Sequence, residues 1–371
     1  MTCKDIIKYF ESWVPKEIAW QKDNVGLQVG STEREIKNIL LCLEVTGKTL
    51  DDAIKKDCNL IITHHPLLFN PLKKIDLQKD KTSKLIERII KNDITLYSAH
   101  TNLDFTKDGV SFELARVLNL QKVDFLVYSK SNQYKLVIFV PVDFTDKVAG
   151  AIFENGGGII GEYSNCSFMT SGTGTFKGSE KSNPSAGRKG IEEKVNEVKL
   201  EVILDSWKLK NVLAAVLKIH PYEEPAYDVY PLENSNLKYG AGTIGELDKA
   251  MDQKEFLKYV AGRLEIKNFR YVKGSRNQIK KVALCGGAGG EMINDAVRSG
   301  ADAFITADIK YHAFHDAAGE ILLIDAGHYE TEIHSLNEVK RRLESYIGKF
   351  NTEIKVYKYN GTTNPIIFYN N

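Results

Sequence analysis

The chain is short of the features that mark secreted, membrane-spanning or nucleic-acid-coating proteins. Its five cysteines, Cys3, Cys42, Cys58, Cys166 and Cys285, are odd in number, widely spaced and free of any Cys-x-x-Cys pair. That spacing argues against a disulfide framework or a cysteine zinc site, and it suits a reducing compartment. An excess of one charge is missing too, since 50 Lys and Arg stand against 49 Asp and Glu for a formal net charge of +1. Broad attraction to nucleic acid or to an anionic membrane needs a larger imbalance. No run approaches the roughly 18 apolar residues of a membrane helix, and Met1-Thr2-Cys3-Lys4-Asp5 lacks the apolar core of a signal peptide. The expectation is a soluble cytoplasmic protein without membrane or nucleic-acid partners.

What the chain has is length, 371 residues, which is enough for two domains and a large core. It also has Ile61-Ile62-Thr63-His64-His65-Pro66, an apolar run ending in two histidines and a proline that forbids the strand to continue. Neighbours on a continuing strand point to opposite faces. Two adjacent imidazoles converge only where the strand breaks into a loop, and Pro66 supplies the break. Alone, the pair is equally consistent with surface or capping histidines.

Around this stretch, apolar strands alternate with helices. Ile39 to Leu43 is a strand ending at Glu44, Thr49 to Lys56 a helix, Leu60 to Thr63 a strand, Ser83 to Lys91 a helix, and Ile94 to Ala99 a strand ending at His100-Thr101-Asn102-Leu103-Asp104. Such a pattern predicts a parallel sheet covered on both faces, with sites beyond the carboxyl ends of its strands. From Tyr134 to Pro231 the order reads βαββαβ, the ferredoxin-like pattern, with Ser171 to Lys189 as a mobile Gly/Ser/Lys-rich loop. The alternating pattern resumes after Gly240, and its last strand delivers Asp325-Ala326-Gly327-His328 before a helix from about Thr331 to Tyr346. The fold class is therefore α/β: a discontinuous core of two similar βαβ halves with parallel-type sheets, plus an inserted ferredoxin-like domain. The expected boundaries are 1–130 and 237–371 for the core and 131–236 for the insertion.

His328 and Glu332, four residues apart at a helix start, share one face. By itself this is a common surface pair. Joined to His64, His65 and Asp104, all leaving strand ends of one expected sheet, it becomes a candidate metal site. Three imidazoles and two carboxylates exceed what one tetrahedral zinc requires, which suggests two divalent ions, with Zn, Fe, Mn and Co equally compatible. Two close ions activate water and clamp an oxyanion, so hydrolysis is the natural reaction class. Other candidates are weaker. Gly286-Gly287-Ala288-Gly289-Gly290 suits a phosphate loop or close packing equally. Asp308, Lys310 and His312 could orient a ligand. His220-Pro221-Tyr222-Glu223-Glu224-Pro225 is better explained as a proline-bounded turn than as a ligand cluster.

Five stretches together resemble one family. Trp20-Gln21-Lys22-Asp23-Asn24-Val25-Gly26-Leu27-Gln28-Val29-Gly30, Thr63-His64-His65-Pro66, Ser98-Ala99-His100-Thr101-Asn102-Leu103-Asp104, Gly286-Gly287-Ala288-Gly289 and Gly327-His328-Tyr329-Glu330-Thr331-Glu332 are similar to the type 2 GTP cyclohydrolase I homologues, the NGG-interacting-factor-three-like dinuclear metal-centre proteins. One departure is Gln21-Lys22, where the family more often has a short acidic Trp-Asp-Asn. The resemblance implies a dinuclear site on His64, His65, Asp104, His328 and Glu332, a homohexamer, and an insertion like PII and CutA proteins. It favours opening of the GTP purine ring at C8 with release of formate, and His100 as proton carrier. The alternatives are a two-metal phosphoesterase on another small molecule and a non-catalytic metal-holding scaffold or adaptor.

Overall fold

The computed structural model describes residues 1–185, 187–350 and 352–369. In the first segment the strands are β1 (Gly26–Val29), β2 (Asn38–Cys42), β3 (Leu60–Thr63), β4 (Thr95–Ser98) and β5 (Gln121–Tyr128). The insertion holds β6 (Gln133–Pro141), β7 (Phe168–Lys177), β8 (Glu192–Asp205) and β9 (Tyr227–Pro231). The last segment holds β10 (Gly240–Asp252), β11 (Arg270–Val272), β12 (Gln278–Ala288), β13 (Ala303–Ala307), β14 (Leu322–Asp325) and β15 (Lys355–Lys358). Contacts divide the chain into two compact units, one made of Met1–Val127 with Tyr239–Asn371 and the other of Tyr128–Lys238.

The larger unit contains two sheets, ordered β1-β4-β3-β2-β15 and β11-β14-β13-β12-β10-β5. Strands β4, β3, β2 and β15 run parallel, as do β14, β13 and β12. The parallel-type sheets expected from the sequence have parallel centres, and outside them β1, β10 and β11 each pair antiparallel to β4, β12 and β14. Those strands are only partly apolar and carry none of the continuous hydrophobic runs that marked the centre. Every residue of β3, β4, β13 and β14 is buried.

Parallel register aligns the strand ends that matter. Cys42 pairs with Thr63 and Thr63 with Ser98, so the chain leaves β2, β3 and β4 at one level of the sheet, carrying Glu44, His64-His65 and His100 there. In the second sheet Thr306 pairs with Asp325, and the chain leaves β13 and β14 towards Asp308 and His328. Helix Ser335–Ile347 belongs to the last segment, yet Leu336, Val339 and Leu343 share a core with Ile39, Leu41 and Ile62 of the first sheet. Burying each such side chain contributes about 1.5–3 kcal/mol, which fixes this helix against the first sheet. The helix expected from Thr331 to Tyr346 is in fact two, a single turn His328–Glu332 followed by Ser335–Ile347.

In the smaller unit the strand order is β7-β8-β6-β9, all antiparallel, with helix Thr145–Glu154 between β6 and β7 and helix Leu209–Ile219 between β8 and β9. Alternate residues Leu136, Ile138 and Val140 of β6 and Leu200, Val202 and Leu204 of β8 face Val148, Ile152, Val212 and Val216 of those helices. The mobile loop expected over Ser171 to Lys189 is corrected in its first part: Ser171 to Lys177 continues β7 and pairs with Val198 to Glu192 of β8. Its Gly and Thr residues other than half-buried Gly174 are exposed on an edge strand, where composition carries no burial signal. No helix among the described residues is long and apolar enough to cross a membrane.

Candidate metal centre

The strand ends of the larger unit bring five expected residues together. His64 Nε2 lies 3.6 Å from Asp104 Oδ1 and 3.5 Å from Glu332 Oε1. His65 Nε2 lies 3.2 Å from Glu332 Oε2 and 3.2 Å from His328 Nε2, and His328 Nε2 lies 3.0 Å from Glu332 Oε1. Glu332 therefore sits between all three imidazoles. His64 and Glu332 are almost wholly buried, while Asp104 keeps a quarter of its side chain exposed.

Each imidazole is held by its other nitrogen. Nδ1 of His64 donates to the Ala99 carbonyl at 2.9 Å, Nδ1 of His65 to Glu44 Oε1 at 3.0 Å, and Nδ1 of His328 to Asp308 Oδ2 at 2.6 Å. Those acceptors carry no hydrogen, so each ring, when neutral, keeps its proton on Nδ1 and turns an Nε2 lone pair to the centre. This is the arrangement in which a partner behind the ring fixes the tautomer of a metal-ligating histidine. Two such lone pairs meeting at 3.2 Å, as in His65 and His328, repel unless a proton or a cation lies between them.

Charge around the cluster is equally unsettled without a cation. Burial by itself would raise Glu332, but His64, His328 and His65 overcome it and hold the carboxylate well below its usual range. Burial pushes Asp104 up to about 6, with Glu332 adding to the shift and His64 opposing it. For His65, burial is outweighed by the carboxylates of Glu332 and Glu44, which lift it to about 10. Glu332 and Asp308 lift His328 to about 9 against its burial.

Donor chemistry and spacing both fit divalent metal. Buried Nε2 of His64, Oδ1 of Asp104 and Oε2 of Glu332 have no hydrogen-bond partner among the described residues. Donors about 2.0–2.2 Å from a four-coordinate ion stand about 3.3–3.5 Å from one another, and the contacts above span 3.0 to 3.6 Å. His65, His328 and Glu332 form one cluster able to hold an ion, and His64, His65 and His100 form another. His100 was expected as a proton carrier; its ring lies 5.2 Å from that of His64, and its Nδ1 donates to the Asp23 carboxylate at 3.0 Å.

Sequence reasoning missed Glu44 and Asp23. Glu44 stands just past β2 in a turn, and the clue was that β2 and β3 would be neighbours in parallel register, which sets it beside His65. Asp23 lies in the Trp20–Gly30 stretch whose role was open. It holds His100, accepts from both the amide and the hydroxyl of Thr101, and stays ionised, drawn far below its usual range against burial by His100 and Thr101.

The remaining candidates fall outside the centre. Lys310 and His312 are exposed. His220 has both nitrogens committed, Nε2 donating to the Phe139 carbonyl and Nδ1 accepting the Tyr222 amide, as a turn requires. The first two glycines of the glycine run have their amides committed within the fold. The Gly286 and Gly287 amides donate to Ser111 and Thr331, and a Cβ on Gly287, which has φ +66°, would strike the Glu332 carboxylate.

The Duf34/NIF3 (NGG1p interacting factor 3) family profile matches residues 1–365. A Halalkalibacterium halodurans protein named GTP cyclohydrolase 1 type 2 homolog is 41% identical over 353 residues, 94% of each chain. A Bacillus subtilis protein of the same name is 38% identical over 367 residues, 98% of each chain. Among solved structures, a Bacillus cereus protein related to NIF3 superposes with a TM-score of 0.86 at 38% identity, covering 100% of this chain and 99% of that one.

Proposed function

The chain belongs to the Duf34/NIF3 family, and from that premise we propose that it is a dinuclear metal-dependent hydrolase that opens the purine ring of GTP at C8 and releases formate. The observation that carries the metal reading is the convergence of three Nε2 lone pairs on Glu332, each imidazole anchored from behind. In this reading His64, His65, Asp104, His328 and Glu332 would hold the two ions. When bound, such ions lower the pKa of water and stabilise developing oxyanions.

The chain's own groups do the rest. Asp23 keeps the proton of His100 on Nδ1, leaving Nε2 to take a proton from the water that adds at C8 and return it to the leaving ring nitrogen, and to do the same for a second water that cleaves the resulting formamide into formate and a free amine. Glu44 and Asp308 stop the His65 and His328 rings from turning. The same reading takes the smaller unit as a PII- and CutA-like module of ferredoxin-like fold at residues 131–236, and the assembly as a cytoplasmic homohexamer.

The test is to load the purified chain with Zn, Fe, Mn or Co in turn, supply GTP and a panel of nucleotides and phosphoesters, and assay formate and phosphate. Formate from GTP that disappears in Asp104→Ala supports the proposal. Phosphate without formate would move it to a phosphoesterase. Metal bound with neither product above the Asp104→Ala background would overturn catalysis and leave a metal-holding scaffold.

A further inference from the structure

One open cavity of about 650 Å³ lies far from the histidine cluster in sequence and is lined by residues of the smaller unit. That volume is in the range of small-molecule sites. Its walls include the rings of Phe139, Phe176 and Tyr222, with the Phe176 and Tyr222 centroids 6.2 Å apart at 53°. Between them Glu197 of β8 is only 9% exposed. The Tyr222 hydroxyl donates to its Oε1 at 2.8 Å, and among the described residues no donor reaches Oε2.

Glu197 thus lines the cavity with a carboxylate oxygen that Tyr222 does not use. Gly174 on the neighbouring strand β7 lies against this carboxylate, and a Cβ there would push the carboxylate aside. The exposed charges at the rim cancel, Lys177 and Lys181 against Glu223 and Glu224, which leaves the buried Glu197 to set the sign of the interior.

We propose that this cavity binds a planar organic cation carrying paired N–H donors, of the amidine, guanidine or protonated aminoheterocycle class. Its N–H groups bond Glu197, and its flat face lies against Phe176 and Tyr222, which attract a cation through their ring quadrupoles. The site is independent of the metal centre and of any hydrolysis there.

The test uses the full chain and benzamidine as probe, followed by calorimetry, with benzoate as the isosteric anion. Benzamidine is expected to bind one per chain, at least tenfold more weakly in Glu197→Gln and several-fold more weakly in Phe176→Ala. Tyr222→Phe keeps binding, because both oxygens of Glu197 then stay free, and Asp104→Ala keeps it because the metal centre is not involved. If Glu197→Gln loses its far-ultraviolet circular dichroism, Phe176→Ala carries the comparison. No binding to the native chain, equal binding of benzoate, or undiminished binding in both Glu197→Gln and Phe176→Ala would each overturn the proposal.

Discussion

Two histidine–proline turns in this chain, His64-His65-Pro66 in the larger unit and His220-Pro221 in the smaller, look alike in sequence and differ in chemistry. Both put a buried imidazole at the end of an apolar element, His64 after β3 and His220 after helix Leu209–Ile219. His220 gives both ring nitrogens to the backbone, at Phe139 and Tyr222, and has no lone pair left. His64 gives only Nδ1, to Ala99, and its Nε2 faces Asp104 and Glu332. The difference lies in what stands opposite the second nitrogen. Parallel strands ending at one level bring carboxylates from distant parts of the chain to that place, whereas the antiparallel unit offers only its own backbone.

The sharpest way to break the contrast is to remove the shared carboxylate. Glu332→Ala takes away the one group in contact with His64, His65 and His328, and metal affinity is expected to fall on the order of a thousandfold. Metal content after dialysis, measured by plasma mass spectrometry beside an unchanged circular dichroism spectrum, checks it. Full retention would refute the site as drawn.

Acid is the next lever. In the metal-free chain, His65 and His328 are raised to about 10 and about 9, so their protonated forms add stability that is complete below about pH 6.5 and is lost as pH rises through 9 and 10. Metal reverses the sign, since it binds only the neutral rings. Uptake of Zn near pH 7.5 is expected to release about two protons, and affinity to fall about a hundredfold per pH unit below that, as read by calorimetry in buffers of different ionisation enthalpy. Proton release near zero would mean the rings are already neutral.

Glu44→Gln is gentler. It keeps a hydrogen-bonding oxygen behind His65 but removes the charge, and a loss of about 10–100-fold in metal affinity is expected. A competition titration against a chelator measures it. An effect below threefold would make Glu44 a spectator.

The part of this arrangement legible in the sequence is the part at the ends of continuous apolar runs. Leu60 to Thr63 and Ile321 to Ile324 read as apolar strands in the sequence and are buried in the fold, and His64, His65 and His328 lie just after them. Glu44 and Asp23 were not legible because their positions depend on register and on a loop crossing back to Thr101, neither of which leaves a local period. Strand β15 was missed for the same reason, since four residues near the end of the chain complete a sheet begun more than 300 residues earlier, at Asn38. Strand β7 was half missed because an exposed edge of Gly, Ser and Thr reads as a loop until β8 is seen to pair with it.

The smallest effect tests the other side of the contrast. In His220→Ala the Phe139 carbonyl and the Tyr222 amide lose their partner, which costs about 1–3 kcal/mol where no water replaces it. Thermal unfolding of the smaller unit should come several degrees earlier, while metal content stays that of the native chain. Both readings are needed. A stability loss with metal unchanged is what a backbone-committed histidine predicts, and a fall in metal content would mean that His220 exchanges its backbone bonds for an ion and that the two turns are more alike than their hydrogen bonds indicate.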